Sequence, residues 1–118
     1  MMENSSLGKI EVSPMAIANL ASRAVLESYG VVGMSSKSLG SGLAELLRGD
    51  SHKRGIEVRL EDNEIIIDLY VIIEYGTRIS AVAHNIMSSV KFSVEKSLGV
   101  PVTEVNVHVR GLRVSSKD

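Results

Sequence analysis

The sequence predicts an α+β fold of two layers, with two long helices on one side of a mostly antiparallel sheet. Three stretches indicate this: 56–76 alternates apolar and polar residues in two runs, while 13–29 and 78–98 repeat apolar residues at helical spacing. Alternation with a period of two is typical of strands, and helices segregated from such strands cover one face of their sheet. The expected order is β-α-β-(short α)-β-β-α-β.

The segment 56–76 is predicted to be the central hairpin. Asp62 and Asn63 separate its two runs, and both residue types tolerate the left-handed backbone of a tight turn. One face of the second strand is apolar and consists of Ile65, Ile67, Leu69, Val71, Ile73 and Tyr75. The other face is mixed and consists of Glu64, Ile66, Asp68, Tyr70, Ile72 and Glu74. A strand of this kind belongs inside a sheet that is partly covered on its second side.

The elements before the hairpin follow from local signals. Residues 1–7 are polar and are expected to be flexible, and Lys9–Val12 is predicted to be a short strand. Ser13 and Pro14 form a helix start, since serine caps the first amides and proline suits the first helical position. This helix is expected to reach Tyr29, with Gly30 as its C-terminal cap. A short strand is predicted over Val31–Ser36.

Segment 37–55 is rich in glycine, serine and charge and is predicted to be a long loop. Gly42–Arg48 forms a short helix in this interpretation, with Leu43, Leu46 and Leu47 on one side. Because long loops in small domains are usually functional or mobile, we expect this segment to be the most mobile internal one.

The second half of the chain predicts a helix and a final strand. The helix spans Arg78–Leu98 and ends at Gly99; its apolar stripe consists of Ile79, Val82, Ala83, Ile86, Met87, Val90 and Val94. The strand spans Val102–Val114, and its apolar positions change parity at Gly111, which predicts a bulge. With a flexible 115–118, the prediction is a single domain over 8–114.

Composition restricts the classes of function. A net charge of −1 and only 3% aromatic residues argue against binding to nucleic acid. The absence of cysteine excludes thiolate metal sites and cysteine nucleophiles, and it fits a reducing cytoplasm. No apolar run approaches the roughly 20 residues that span a bilayer. We therefore expect a cytoplasmic protein without direct membrane insertion.

Residues capable of chemistry are scattered along the chain. His52, His84 and His108 have no paired spacing of metal ligands, so they are interpreted as solvated or locally hydrogen-bonded. Gly40, Ser41 and Gly42 precede the short helix and form a candidate anion-binding loop, although neither the Walker nor the Rossmann pattern is present. The alternative is a flexible connection with a cap.

The carboxylates do not indicate catalysis either. Asp68 and Glu74 share one strand face but stand about 20 Å apart along a strand, too far for paired acid–base work. They are interpreted as groups that keep the outer face of the sheet soluble. No GxSxG motif exposes a nucleophile. We therefore expect no enzymatic activity, no resident metal and no cofactor.

Four apolar residues remain as candidates for partner binding: Ile66, Tyr70 and Ile72 on the mixed face of the hairpin, and Phe92 opposite the apolar stripe of the second helix. An exposed apolar patch usually marks an interface. The alternatives are that the short helix covers the first three residues, and that Phe92 is a lone surface aromatic or contacts a chain terminus.

Four stretches together resemble the bacterial alkaline-shock (general stress, envelope stress response) protein family, and its short housekeeping-type members above all. They are GKIEVSPMAIANLASRAVLESYGVVGMSSK at 8–37, RGIEVRL at 54–60, IDLYVIIEYGTRISAVAHNIMSSVKFSVEKSLGV at 67–100 and VTEVNVHVRGLRV at 102–114. The resemblance implies a cytoplasmic, non-enzymatic adaptor that binds proteins and self-associates as a homo-oligomer. In some members a separate anchor protein holds it at the membrane.

The resemblance also implies a role in envelope stress or in fatty-acid and phospholipid supply. The alternative is a small-ligand (acyl or phosphate) binding accessory protein of a fatty-acid kinase or acetyl-CoA carboxylase system. The family supplies no catalytic residues to transfer.

Overall fold

The computed structural model describes residues 2–35 and 55–114 and confirms the α+β fold. The element order follows the prediction along these residues, with one additional strand at the N-terminus. The elements are β1 (Met2–Ser5), β2 (Gly8–Glu11), α1 (Pro14–Leu26), β3 (Val31–Met34), β4 (Ile56–Glu61), β5 (Glu64–Glu74), α2 (Ile79–Leu98) and β6 (Glu104–Arg113).

Strand β5 is the centre of the main sheet. One edge of β5 pairs antiparallel with β4 along its first half and with β3 near its end. The backbone of Tyr70 lies at the junction: its N–H donates to Gly55 O at 2.8 Å, and its carbonyl accepts from Ser35 N at 2.9 Å. Strands β3 and β4 therefore lie end to end along the same edge of β5.

The other edge of β5 pairs with β6, and this pair is parallel. Helix α2 makes the crossover between the two strands. The register runs from Ile66↔Glu104 to Val71↔Val109 and then shifts to Ile72↔Gly111. Arg110 is the extra residue, so the bulge predicted at Gly111 is confirmed.

The core lies between the two helices and one face of the sheet. The odd-numbered residues of β5 from Ile65 to Ile73 are at most 2% exposed. Helix residues at four-residue spacing pack against them: Ile17, Ala21 and Val25 from α1, and Val82, Ile86, Val90 and Val94 from α2. Each large aliphatic side chain removed from water contributes about 1.5–3 kcal/mol, so this layer stabilises the fold most.

The predicted start of α1 and end of α2 are confirmed. Ala16 N donates to Ser13 Oγ at 3.2 Å, and Pro14 occupies the first turn of α1. Gly99 ends α2 in the left-handed conformation, with φ of 77° and its N–H bonded to Glu95 O. Such a conformation favours glycine because it has no Cβ.

Helix α1 ends earlier than predicted. Its C-cap is Glu27, whose N–H donates to Arg23 O, so Tyr29 and Gly30 lie beyond the helix. Gly30 instead turns the chain into β3 with φ of 89°, and a Cβ there would lie 2.9 Å from Val82 Cγ2. A close approach to α2, and not the end of α1, requires this glycine.

The segment 1–7, predicted to be flexible, contains the additional strand. Met2–Ser5 forms β1, which pairs antiparallel with β2 from Met2↔Glu11 to Ser5↔Gly8. Backbone hydrogen bonds hold this hairpin, and they do not require the apolar alternation by which strands are recognised in a sequence.

Three residues predicted on apolar faces lie near or outside the edge of the core. Tyr75 follows the end of β5 and is 67% exposed, while Ile79 and Met87 of α2 are 41% and 36% exposed. The buried stripe of α2 is narrower than predicted because it uses only positions four residues apart. The short helix predicted at 42–48, nearly all of the loop at 37–55 and the C-terminal segment 115–118 lie outside the described residues.

The approach to β6 is fixed by α2. Val102 N donates to Glu95 Oε2 at 2.8 Å, and Lys91 Nζ donates to Val102 O at 2.9 Å. Lys91 and Glu95 also form an ion pair at 3.2 Å, one helical turn apart. Both backbone groups of Val102 are therefore bonded to one face of α2, which sets where β6 begins.

Candidate functional site

Polar side chains from three strands converge on Asp68, on the face of the sheet opposite the helices. Arg59 of β4 donates from Nη2 to Asp68 Oδ2 at 3.0 Å. Asn106 Nδ2 and His108 Nε2 of β6 lie 3.1 and 3.2 Å from Asp68 Oδ1. The carboxylate thus accepts hydrogen bonds from both neighbouring strands and links them.

Asp68 is 7% exposed, whereas the side chains of Arg59 and His108 are each 43% exposed. Burial alone would raise the pKa of Asp68. The hydrogen bonds from His108, Arg59 and Asn106 outweigh burial and hold that pKa below its ordinary value. The hydrogen bond to Asp68 in turn raises the pKa of Arg59. Asp68 is therefore a buried anion with its partners in place.

Aromatic and cationic groups extend this cluster along β5 and β6. The rings of Tyr70 and His108 stack with centroids 4.5 Å apart and planes inclined by 12°. The guanidinium of Arg110 lies 5.1 Å from the Tyr70 ring centroid, within cation–π range. We call the whole surface the Asp68 face; it consists of Arg59, Asp68, Tyr70, Asn106, His108 and Arg110.

The structure separates the residues predicted as one apolar patch on the hairpin. Ile66 and Tyr70 are 8% and 6% exposed, and only Ile72 is half-buried. His108 and Arg110 lie against Tyr70, so part of its cover comes from β6. Ile66 and Tyr70 are thus covered within the chain, and Tyr70 is a buried support for polar surface groups; the part of the three residues in partner binding remains a prediction. The leucines of the predicted short helix lie outside the described residues.

Phe92 lies in the other layer, away from the Asp68 face. It is 65% exposed, and Lys96 Nζ one turn along α2 lies 5.6 Å from its ring centroid. Its predicted part in partner binding remains a prediction. The candidate anion-binding residues Gly40, Ser41 and Gly42 lie outside the described residues.

His84 has the predicted local role, since its Nδ1 lies 2.9 Å from Ser80 O within α2. His108 does not, because it bonds to Asp68, 40 residues away along the chain, as part of the Asp68 face. Along 2–35 and 55–114, no group of three or more His, Asp or Glu side chains is arranged to hold a metal ion. The interpretation of Asp68 as a solubilising surface group is wrong, because Asp68 is buried and bonded.

Sequence reasoning missed the cluster as a unit, although one signal was available. Asp68 is the single charged residue within the apolar run from Ile65 to Ile73. A charge in a strand with two partly apolar faces requires bonded partners. The partners on β6 follow Asp68 by 38 and 40 residues, and only the strand order identifies them.

A pocket of about 580 Å³ lies where the end of β2 meets the β4–β5 turn. Its walls are mainly apolar, and two carboxylates line it; the residues are Glu11, Val12, Ser13, Pro14, Leu60, Asn63, Glu64 and Ile65. Carboxylates oppose an anionic ligand such as a phosphate or a fatty-acid head group. The pocket therefore does not favour the acyl or phosphate alternative.

A family model matches residues 2–114: the alkaline-shock protein 23 family, described as having a cell envelope-related function. The chain is 44% identical over 110 residues to protein YloU of Bacillus subtilis (strain 168), covering 92% of each chain. It is 38% identical over 112 residues to protein Spy1614 of Streptococcus pyogenes serotype M6, covering 94% of this chain and 93% of that protein.

Among solved structures, a MamM variant aligns with a TM-score of 0.52 at 15% identity, over 86% of this chain and 99% of the other. At this identity the likeness concerns the fold alone. In the described parts of the chain, neither helix combines the length and apolarity that crossing a membrane requires.

Proposed function

The chain belongs to the alkaline-shock protein 23 family, whose function is cell envelope-related, and from this premise we propose that it is a non-enzymatic cytoplasmic domain that binds proteins through the Asp68 face. Homo-oligomer formation is part of the proposal. So is indirect attachment to the membrane through an anchor protein. The resemblance to the family and the chemistry of this one surface support it.

The observation that carries the proposal is the Tyr70–His108–Arg110 stack. Arginine is enriched among the residues that dominate protein–protein binding energy, and the buried ring of Tyr70 supports Arg110 and His108. Tyr70 is part of β5, the central strand, and its backbone is hydrogen-bonded to Ser35 and Gly55. A partner would thus meet side chains that have already lost much of their rotamer freedom, which lowers the entropic cost of binding.

The hydrogen bonding of His108 and Asp68 supports binding over catalysis. A general base needs a substrate or nucleophile within hydrogen-bond reach, as in serine hydrolases. Among the described contacts, Asp68 accepts from Arg59, Asn106 and His108, and the ring of His108 stacks on Tyr70. These groups bond to one another, and this arrangement favours a fixed recognition surface.

The two finer roles implied by the resemblance, envelope stress and fatty-acid or phospholipid supply, differ in the identity of the partner. Affinity purification from the native host, followed by mass spectrometry, tests the proposal and distinguishes the roles. The Arg110→Ala variant should lose the proteins that copurify with the wild type. Arg23→Ala removes an equally large side chain from an exposed position of α1, and this variant should keep them.

Circular dichroism must show that both variants are folded. Retention of every partner by Arg110→Ala would contradict the assignment of the Asp68 face. Turnover of a substrate by the purified protein, lost in His108→Ala, would contradict the non-enzymatic proposal.

A further inference from the structure

The outer edge of β6 is a second feature of the same surface. Among the described residues, β6 pairs with β5 alone. Tyr70 directs both its N–H and its carbonyl toward β3 and β4, so by alternation the odd-numbered residues of β5 direct theirs toward β6. In the parallel register Ile67, Leu69 and Val71 are opposite Val105, Val107 and Val109. In a parallel pair a residue bonds to the neighbours of the residue opposite it, so the backbone groups of these three valines point away from β5.

The composition of this edge favours pairing. Natural sheets protect an edge with lysine, proline or a bulge. The stretch 104–110 contains neither lysine nor proline, and the bulge begins only at its end, at Arg110. Val109 is 36% exposed and Val107 half-buried, so apolar side chains accompany the outward backbone groups.

We propose that β6 pairs antiparallel with β6 of a second copy, about a two-fold axis at Val107. The inference rests on the proposed function and deepens its homo-oligomer part by assigning that contact to the outer edge of β6. The Asp68 face then continues across the axis, because Asn106 and His108 of both copies lie on the same side of one extended sheet.

Charge complementarity selects this register. With Val107 opposite the partner's Val107, Val105 faces the partner's Val109 and forms a hydrogen-bonded pair. Asn106 then faces the partner's His108 in a closer, non-hydrogen-bonded pair, with Cα atoms about 4.5 Å apart. Glu104 lies opposite the partner's Arg110, the extra residue of the bulge, at the end of the regular pairing. Opposite charges in such a pair stabilise a sheet, and like charges destabilise it.

Neighbouring registers fit less well. If the two-fold axis moves one residue toward the N-terminus, Val109 has no valine opposite it. If the axis moves one residue the other way, His108 lies opposite the partner's His108. A slip by an odd number of residues would place apolar side chains opposite polar ones. The proposed register alone matches all three outward valines and forms the Glu104–Arg110 pair at both ends.

Charge reversal tests the register, with molar mass measured by sedimentation equilibrium. Wild type should dimerise; Glu104→Arg or Arg110→Glu alone places like charges opposite each other, so each should weaken dimerisation at least tenfold. The double variant Glu104→Arg/Arg110→Glu restores opposite charges and should recover wild-type mass. A monomeric wild type, unaffected single variants, or a double variant no better than the singles would each overturn the proposal.

A disulfide test does not depend on these charges. The chain has no cysteine, so Val107→Cys introduces the only thiol. Paired residues on the axis lie within the Cα range of a disulfide, so oxidation should give covalent dimers faster than in the exposed control Ser88→Cys. Equal rates would overturn the pairing. If the pairing fails while Arg110→Ala still loses copurifying proteins, the Asp68 face remains the protein-binding surface, and the edge of β6 is excluded as the contact of the homo-oligomer.

Discussion

His108 Nε2 lies 3.2 Å from Asp68 Oδ1, across two parallel strands and 40 residues along the chain. The contact exists because α2 returns the chain to the edge of β5 with Tyr70 and His108 in register. It links the buried anion of the sheet to the Tyr70–His108 stack, in which Tyr70 is buried and His108 is partly exposed.

Asp68→Asn should lower the free energy of unfolding at pH 7 by about 1–3 kcal/mol, because it replaces the buried, ionised acceptor of three hydrogen bonds by a neutral amide. The difference from wild type should shrink in acid. The pKa of Asp68 is lowered in the folded state, so its contribution is present above the unfolded pKa of about 3.9 and is lost as the pH falls through the folded value.

Urea unfolding at pH 7, 5 and 3 measures this difference. Glu64→Gln, which removes a carboxylate from the exposed start of the same strand, is the matched control and should change stability little. A destabilisation by Asp68→Asn that stays constant over the whole pH range would contradict the role of the ionised carboxylate.

Gly55→Ala should destabilise the fold by about 1–3 kcal/mol, because the position combines a positive φ with close backbone neighbours. An added Cβ would lie 2.5 Å from Ser35 O and 2.9 Å from Tyr70 O, and φ is 87°. Gly33→Ala is the control, since its Cβ would meet nothing within 4 Å. If thermal unfolding showed the Gly33→Ala variant to be less stable than the Gly55→Ala variant, this account of the β3–β4 junction would be wrong.

Tyr70→Asp and Phe92→Asp should behave in opposite ways. Tyr70 is 6% exposed and lies next to Asp68, so a carboxylate there should unfold the protein or destabilise it by more than about 4 kcal/mol. Phe92 is 65% exposed, and its replacement should change stability by no more than about 0.5 kcal/mol. Circular dichroism during denaturation checks both, and a folded Tyr70→Asp variant would contradict the burial of this ring.

Glu95→Ala should loosen the segment before β6. The hydrogen bond from Val102 N is the main cause that lowers the pKa of Glu95, and the hydrogen bond from Lys91 lowers it further. This carboxylate is therefore ionised at neutral pH. Without it, the amide of Val102 should exchange with solvent faster, as measured by NMR. Glu95→Gln keeps an acceptor oxygen and should preserve more of the protection. Unchanged exchange in Glu95→Ala would mean that the loop is held by other contacts.

Elements with local signals could be predicted from the amino-acid sequence. The Asp62-Asn63 turn has φ of 48° and 65° at its two residues, as those residue types allow, and it joins the two strands predicted around it. Ser13, Pro14 and Gly99 placed one end of each helix, and the parity change at Gly111 placed the bulge. Each of these depends on a few neighbouring residues, whose backbone preferences act within the segment itself.

Tertiary structure alone decided which strands are neighbours. Alternation assigned Asp68 and His108 each to a polar face, but a periodic pattern records which face a residue occupies and not which strand lies beside it. The parallel pairing of β5 with β6 depends on α2 packing over the sheet, a contact between distant parts of the chain. The candidate site consists of side chains from β4, β5 and β6, so it exists only once that packing has formed.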